Sequence, residues 1–360
     1  MKKIFHIVSN REWGGGEQYV YDLCRRQMED GYEVCIFCKP VESIIQKYQE
    51  VGIRVIRLNL NGILDVRSAW NMAKVIKDAG ACTIHAHNFK DAFTACYARK
   101  FSSMQQVRVV MCRHLTRKGK TSLPYRWLYR QLDCLCFDSE LSKSQFLSTH
   151  PVIDESRLCV VHTSIVMPAD IQPAPLHSEI EMPSNAVVAM YHGRLDPEKG
   201  LDILIEAVGL IKDRNFRMVL IGRGSDEYTA HLRKMITDRG LDNIVHLLGF
   251  RHPIYPYVAA SDFGILASIV PEGCPLSPQE YMSQGKPVVA SDNGGQSEYI
   301  RNRQNGLLVS PGNSEALAVA MRRLIDDSEF RQSLGVQARK DYENYLSYEH
   351  FYKQISRIYQ

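Results

Sequence analysis

Short apolar, β-branched runs alternate with segments of helical period along the first half of the chain. Residues 3–8, 33–38, 54–58, 82–87, 107–112, 134–138 and 158–162 read as strands. Between the first two, residues 17–28 place Val20, Leu23, Cys24 and Gln27 on one side of a helix. Such alternation predicts a parallel, doubly wound α/β sheet. Residues 168–183, PADIQPAPLHSEIEMP, break the pattern, with four prolines in sixteen residues and no periodicity. They read as a linker, the alternative being a long surface loop within one domain. The pattern then restarts, with strands at 186–191, 218–221, 244–248, 263–267 and 287–291. A helix over 202–212 carries Leu204, Val208 and Ile211 on one face. The expectation is two α/β domains of similar size with a cleft between them. In such sheets ligands bind beyond the carboxyl ends of the strands, so the loops there should carry the chemistry.

Composition narrows the class. A length of 360 residues suits two or three domains. Lys plus Arg number 44 against 40 Asp plus Glu, and 45% of residues are hydrophobic. That is an ordinary globular balance and excludes a disordered, collagen-like or disulfide-framed chain. The longest stretch without Asp, Glu, Lys or Arg has 12 residues, whereas a spanning helix needs about 20 apolar ones. The opening MKKIFHIVSN turns polar too soon for a signal peptide, so the expected location is cytoplasmic. Nine of the ten cysteines precede residue 160, mostly in strand-like runs, and read as buried reduced thiols. Cys35 and Cys38 form a lone C-x-x-C whose offset on a strand points the two side chains to opposite faces.

Four segments carry candidate chemistry. Gly14-Gly15-Gly16 follows the first strand and opens the first helix, where free N–H groups favour anions. Tyr19 stands where a dinucleotide fingerprint needs its last glycine, so a nicotinamide or flavin site is not indicated. The run from Tyr191 to Gly200 carries Gly193, then Arg194 and Lys199, two cations beside a glycine turn that suit a diphosphate. A solvated charged loop is the alternative. Gly222 and Gly224 make a further turn after the next strand. In Pro271 to Glu280, Glu272 lies in a loop after a strand and Glu280 lies in a helix starting near Pro275 or Leu276. One carboxylate can reach a sugar ring and the other a ribose diol; taken alone, they read better as a helix-dipole carboxylate and an exposed helical one.

Together and in this order, these segments resemble the GT-B nucleotide-sugar glycosyltransferases of glycosyltransferase family 4, the glycosyl transferases group 1, whose members are retaining. The matching elements are the glycine loop, G-R-L-x-x-x-K-G at 193–200, the two glutamates at 272 and 280, and the segments 285–295, Glu298 and 305–309. The resemblance covers nearly the whole chain and is tightest over 186–327. It implies two Rossmann-like doubly wound domains facing each other across a cleft: 1–170 on the acceptor side, with a returning helix at about 342–360, and 171–341 for the nucleotide sugar. Arg194 and Lys199 would hold the diphosphate, with Gly193 and Gly222 in the donor loops. Glu280 would bind the ribose. Glu272 would sit at the donor sugar beside the N–H groups of Gly273, Cys274 and Leu276. Gly15 and Gly16 would close over the phosphates, and His114 would face the sugar. The resemblance implies no metal and no cofactor besides the substrate, a UDP- or GDP-linked sugar. Cys274 replaces the aromatic usual after the Glu-Gly pair, and residues 162–166 replace the usual Asn-Gly turn. His85 and His87 share a strand face at offset two, but sequence spacing places no third ligand near them.

The implied function is retaining, metal-independent transfer to a saccharide or lipid-linked glycan, in cell-surface polysaccharide or lipopolysaccharide synthesis. The rivals are a nucleotide-sugar epimerase on the same fold and a non-catalytic binding subunit. The presence of Arg194, Lys199, Glu272 and Glu280 together argues against the latter. Residues 97–132 hold nine Lys or Arg and no acid, and 123–130 interleave aromatics with cations. That pattern predicts peripheral docking on an anionic membrane surface; the alternatives are a solvated face or a pocket for an anionic acceptor. No nucleic-acid motif accompanies the charge, so nucleic acid is not an expected partner.

Overall fold

A computed structural model describes residues 2–80 and 82–360. The chain divides into two compact units, Met1–His162 with Phe351–Gln360, and Thr163–His350. Unit 1 holds seven parallel strands: β1 Lys3–Val8, β2 Glu33–Cys38, β3 Arg54–Arg57, β4 Thr83–Ala86, β5 Arg108–Arg113, β6 Cys134–Phe137 and β7 Leu158–Val160. Their order is β3-β2-β1-β4-β5-β6-β7. Unit 2 holds six: β8 Val187–His192, β9 Phe216–Ile221, β10 Val245–Gly249, β11 Phe263–Leu266, β12 Val288–Ser291 and β13 Leu307–Val309. Their order is β10-β9-β8-β11-β12-β13. These are the two doubly wound, Rossmann-like sheets of the GT-B fold.

Helices cover both faces of each sheet, so the strands bury both sets of side chains and read as apolar runs. On β8, Ala189 and Tyr191 join one core while Val188 and Met190 join the other. The helix Gly15–Glu29 buries Val20, Leu23, Cys24 and Gln27, the stripe read from its period. All ten cysteines are free thiols, eight of them buried.

Three features differ from the sequence reading. The proline-rich stretch is not the boundary between units. Leu176 and Met182 are buried in the core of unit 2, and Ala174 N–H donates to Pro256 O. The division falls at His162/Thr163 instead of 170/171. Thr163 O accepts from Gln279 Nε2, and Ser164 Oγ donates to Leu346 O, which ties this segment to unit 2. The chain rejoins unit 1 at Phe351 rather than near 342. Tyr359 OH then bonds both Gln27 and His85, and Arg26 lies over the Tyr352 ring. Finally, residues 307–309 form β13, a strand absent from the sequence reading.

Candidate functional site

In unit 2 the strand order turns between β8 and β11, which pair directly through Phe263 with Ala189 and Gly264 with Met190. The carboxyl ends of two such strands form the switch point where α/β sheets hold ligands. Gly193, Arg194 and Lys199 follow β8, Gly222 follows β9, and Glu272, Gly273 and Cys274 follow β11. Leu276 and Glu280 lie in the helix Leu276–Met282.

Two close backbone approaches assemble these loops. Gly200 adopts φ +66°, and a Cβ there would lie 2.1 Å from Ala267 O. At Gly222 a Cβ would lie 1.8 Å from Gly193 O. Neither position admits a side chain, so the loop after β8 seats directly on its neighbours. Ile269 N–H donates to Glu198 O at 3.0 Å and closes the gap further.

Lys199 and Glu272 meet as a result. Lys199 Nζ donates to Glu272 Oε2 at 2.5 Å, and the two side chains are 18% and 19% exposed. Ser268 Oγ donates to the other oxygen of Glu272. Glu280 accepts from His192 Nε2, whose Nδ1 lies 2.9 Å from Tyr281 OH, which donates to Met190 O. Arg194 is far more open and pairs with Asp196 Oδ2 at 3.0 Å. The sequence offered Arg194 and Lys199 as two bare cations; in the fold each already has a carboxylate. Cys274 Sγ lies 3.6 Å from Thr163 O and 3.3 Å from Gln279 Nε2, inside the loop.

Sequence reasoning passed over His192, Ser268 and Tyr281. His192 ends β8 and Ser268 follows β11 by two residues, so position beyond a strand end was the available signal. Tyr281 is fully buried in a helix and gave none.

In unit 1, Gly15 and Gly16 open the first helix, and a Cβ at either would meet nothing within 4 Å. The fold therefore does not demand glycine there. His114 follows β5, meets the Tyr19 ring edge-on at 4.8 Å, and keeps its Nε2 buried without a partner. Burial lowers its pKa to about 4, so the ring is neutral at pH 7.

The third imidazole missing from sequence spacing comes from β1. His6 pairs in register with His85, and nitrogens of His6, His85 and His87 lie within 4.8 Å of one another. Gln27 Oε1 accepts from His6 Nε2 at 2.9 Å, so His6 Nδ1 accepts from His87 Nε2 at 3.1 Å. Tyr359 OH, which accepts from Gln27 Nε2, donates to His85 Nδ1 at 2.9 Å. Four of the six ring nitrogens are thus engaged in a network that fastens the last residues of the chain to unit 1. Burial lowers the pKa of all three imidazoles, that of His6 to about 4.

The basic segment separates into distinct jobs. Arg99 pairs with Asp133 at 2.7 Å, and Arg108 donates to Ile358 O and Gln360 O. The helix Leu123–Gln131 buries Tyr125, Leu128 and Tyr129, so these apolar residues serve the core instead of a membrane. Among the described residues no helix is long and apolar enough to cross a membrane.

The family model for "Glycosyltransferase Family 4" matches residues 13–166, and that for "Glycosyl transferases group 1" matches residues 175–341. The lipopolysaccharide core biosynthesis glycosyltransferase LpsD of Rhizobium meliloti (strain 1021) is 31% identical over 342 residues, which cover 92% of this chain and 91% of LpsD. The chain belongs to this glycosyltransferase family. Four other curated members are matched over less than half their length: the chain spans between 40% and 45% of each. The GT-B fold is shared with a glycosyltransferase from Rickettsia africae ESF-5, at TM-score 0.86 and 21% identity over 99% of this chain and 97% of that one. It is shared also with Anabaena HepE, solved with UDP, at TM-score 0.81 and 21% identity over 99% of both chains.

Proposed function

We propose that this family member is a retaining, metal-independent glycosyltransferase. It moves a sugar from a UDP- or GDP-linked donor to a saccharide or lipid-linked glycan, in cell-surface polysaccharide or lipopolysaccharide synthesis. The observation that carries the reading is the meeting of Lys199 with Glu272, and of Glu280 with His192, at the β8/β11 switch point. LpsD supports the pathway class, and HepE, solved with UDP-glucose, supports the donor class.

The leaving group is a nucleoside diphosphate, whose charge grows as the glycosidic bond breaks. Lys199, held by Glu272, and Arg194 supply fixed positive charge there, the role a divalent cation would otherwise fill. Glu280 takes the ribose hydroxyls and Glu272 the donor sugar. Attack from the same face, with the departing phosphate taking the acceptor proton, retains the anomeric configuration. In unit 1, glycine at 15 and 16 is explained by close approach of a ligand, since packing does not require it. His114 stays neutral at pH 7 and offers one unpartnered nitrogen to a sugar hydroxyl. The work is done on the cytoplasmic side of the membrane; Leu115 and Leu123, exposed near Arg117, Lys118 and Lys120, support contact with that surface.

An α-linked donor gives an α-linked product, read by NMR of the new anomeric proton, and chelator leaves the rate unchanged. Lys199→Ala lowers turnover by about 10²–10³-fold. An inverted product refutes retention, and donor consumption without any acceptor favours the epimerase.

A further inference from the structure

Unit 1 contains a cavity of about 480 Å³ on the carboxyl side of β1, β4 and β5. Lys39, Lys90, Arg113, Arg117, Lys118 and Lys120 all line it, and no Asp or Glu does. None of the six has a carboxylate within ion-pair distance among the described residues. In a chain of net charge +4, six like charges around one hollow repel one another and destabilise the empty state. A solvated face would spread them out.

Arg113 is the decisive member. It is 6% exposed, and its guanidinium lies 5.4 Å from the Phe89 ring and 5.2 Å from that of Phe146. Nη2 donates to the backbone oxygens of Arg117 and Lys118, at 2.5 Å and 3.4 Å, while Nη1 is buried with no acceptor. A buried guanidinium without a carboxylate is costly, and a bidentate oxyanion is the partner its planar fork fits. The carboxyls that reach these cations electrostatically are Asp91, beside Lys39 and Lys90, and Asp138, beside Arg113. Burial raises the pKa of both, that of Asp91 to about 7, so Asp91 carries no full compensating charge in the neutral range. Asn88, His87 and His114 complete the wall with groups suited to sugar hydroxyls.

We propose that this cavity binds a saccharide bearing a phosphate or carboxylate group, and that this acidic saccharide is the acceptor. The acceptor role rests on the transferase reading above; the anion site does not.

Calorimetric titration of the full chain tests both, with inorganic phosphate, glucose 6-phosphate, glucose and UDP as probes. Glucose 6-phosphate should bind at least tenfold tighter than glucose, more weakly as salt rises, and without displacement by UDP. Phosphate should compete with it. Lys90→Ser, Arg117→Ser and Lys118→Ser together should weaken glucose 6-phosphate at least tenfold and leave UDP affinity unchanged. These are flexible cavity-wall side chains, and an unchanged near-UV spectrum checks the fold. Arg113→Lys should weaken it too, since an ammonium cannot bind bidentately. Equal affinity for glucose and glucose 6-phosphate overturns the proposal, as does displacement by UDP, which would make the cavity part of the donor site. Binding to phosphatidylglycerol but not phosphatidylcholine vesicles, lost in the triple variant, with no binding of either soluble phosphate, also overturns it in favour of a membrane surface. Glucose 6-phosphate binding with no UDP binding supports the anion site and refutes the donor reading.

Discussion

Acid should loosen unit 1 well before unit 2. His6, His85, His87 and His114 are all held neutral by burial in unit 1, with His6 and His114 lowered to about 4. Unfolded, each takes a proton near 6.5. The folded pKa is depressed, so the native state binds fewer protons; the stabilisation is present above pH 6.5 and is lost as pH falls toward 4. For a shift from 6.5 to 4, moving from pH 8 to pH 5 removes about 2 kcal/mol each for His6 and His114, and His85 and His87 act in the same direction. Asp91 works in the opposite sense. Its pKa is raised from 3.8 to about 7 by burial, so its contribution is full below 3.8 and lost as pH rises through 7. It returns about 3 kcal/mol over the same interval. His85 and His87 add to the histidine loss, so the net effect of acid on unit 1 is destabilising. Hydrogen exchange by mass spectrometry, corrected for the intrinsic pH dependence, reads the units separately. Protection of β1, β4 and β5 should fall from pH 8 to pH 5 while that of β8 and β11 persists. Asp91→Asn removes the opposing contribution and should deepen the loss by about 3 kcal/mol. Equal protection of unit 1 at pH 8 and pH 5 would refute the reasoning.

Two substitutions probe the assembly of the unit 2 site. Gly200→Ala puts a Cβ 2.1 Å from Ala267 O at a φ of +66°, and should lower the melting temperature and separate Lys199 from Glu272; a variant as stable and active as wild type would show that the loop accommodates it. Glu280→Ala should weaken UDP binding at least tenfold, measured by calorimetry, with a smaller change in turnover of saturated enzyme. Unchanged UDP affinity would remove Glu280 from the ribose.

The two sheets were legible because their inner strands bury both faces and are runs of apolar residues that stand out from the helical segments, while the edge strand β3, RVIR, is only partly buried. β1 to β12 were found to within two residues at each end, whereas β13 was not read as a strand. The domain boundary misled for a physical reason. Proline density marks irregular backbone, and irregular backbone can be buried: Leu176 is fully covered in the middle of the supposed linker. Residue positions of the candidate site followed from strand ends, but pairing did not. Nothing in spacing says that Lys199 reaches Glu272 across a distance of 73 residues, or that His6 completes a trio with His85 and His87. Those contacts depend on which strands are neighbours, and strand order is not written in any local pattern.

Charge is arranged oppositely in the two units, and this has consequences for selectivity. In unit 2, Lys199, Arg194 and Glu280 all have partners before any ligand arrives. A ligand that takes Lys199 must share it with Glu272, one full negative charge at contact distance. Two unit charges 4 Å apart are worth about 4 kcal/mol at an effective dielectric near 20. A ligand group that reaches Lys199 alone therefore gains little over the carboxylate already present, while a diphosphate has further oxygens for the open Arg194, which Asp196 shares. On this reading the Lys199–Glu272 pair would act as a charge threshold. The cations around the unit 1 cavity have no carboxylate within ion-pair distance among the described residues and should accept a single phosphate. UDP should accordingly bind unit 2 at least a hundredfold more tightly than uridine monophosphate does, and Glu272→Gln, which relieves the competition, should narrow that ratio by tightening the monophosphate. Calorimetry with the two nucleotides measures both. If Glu272→Gln weakens UDP and the monophosphate equally, Glu272 is holding Lys199 in position and sets no threshold.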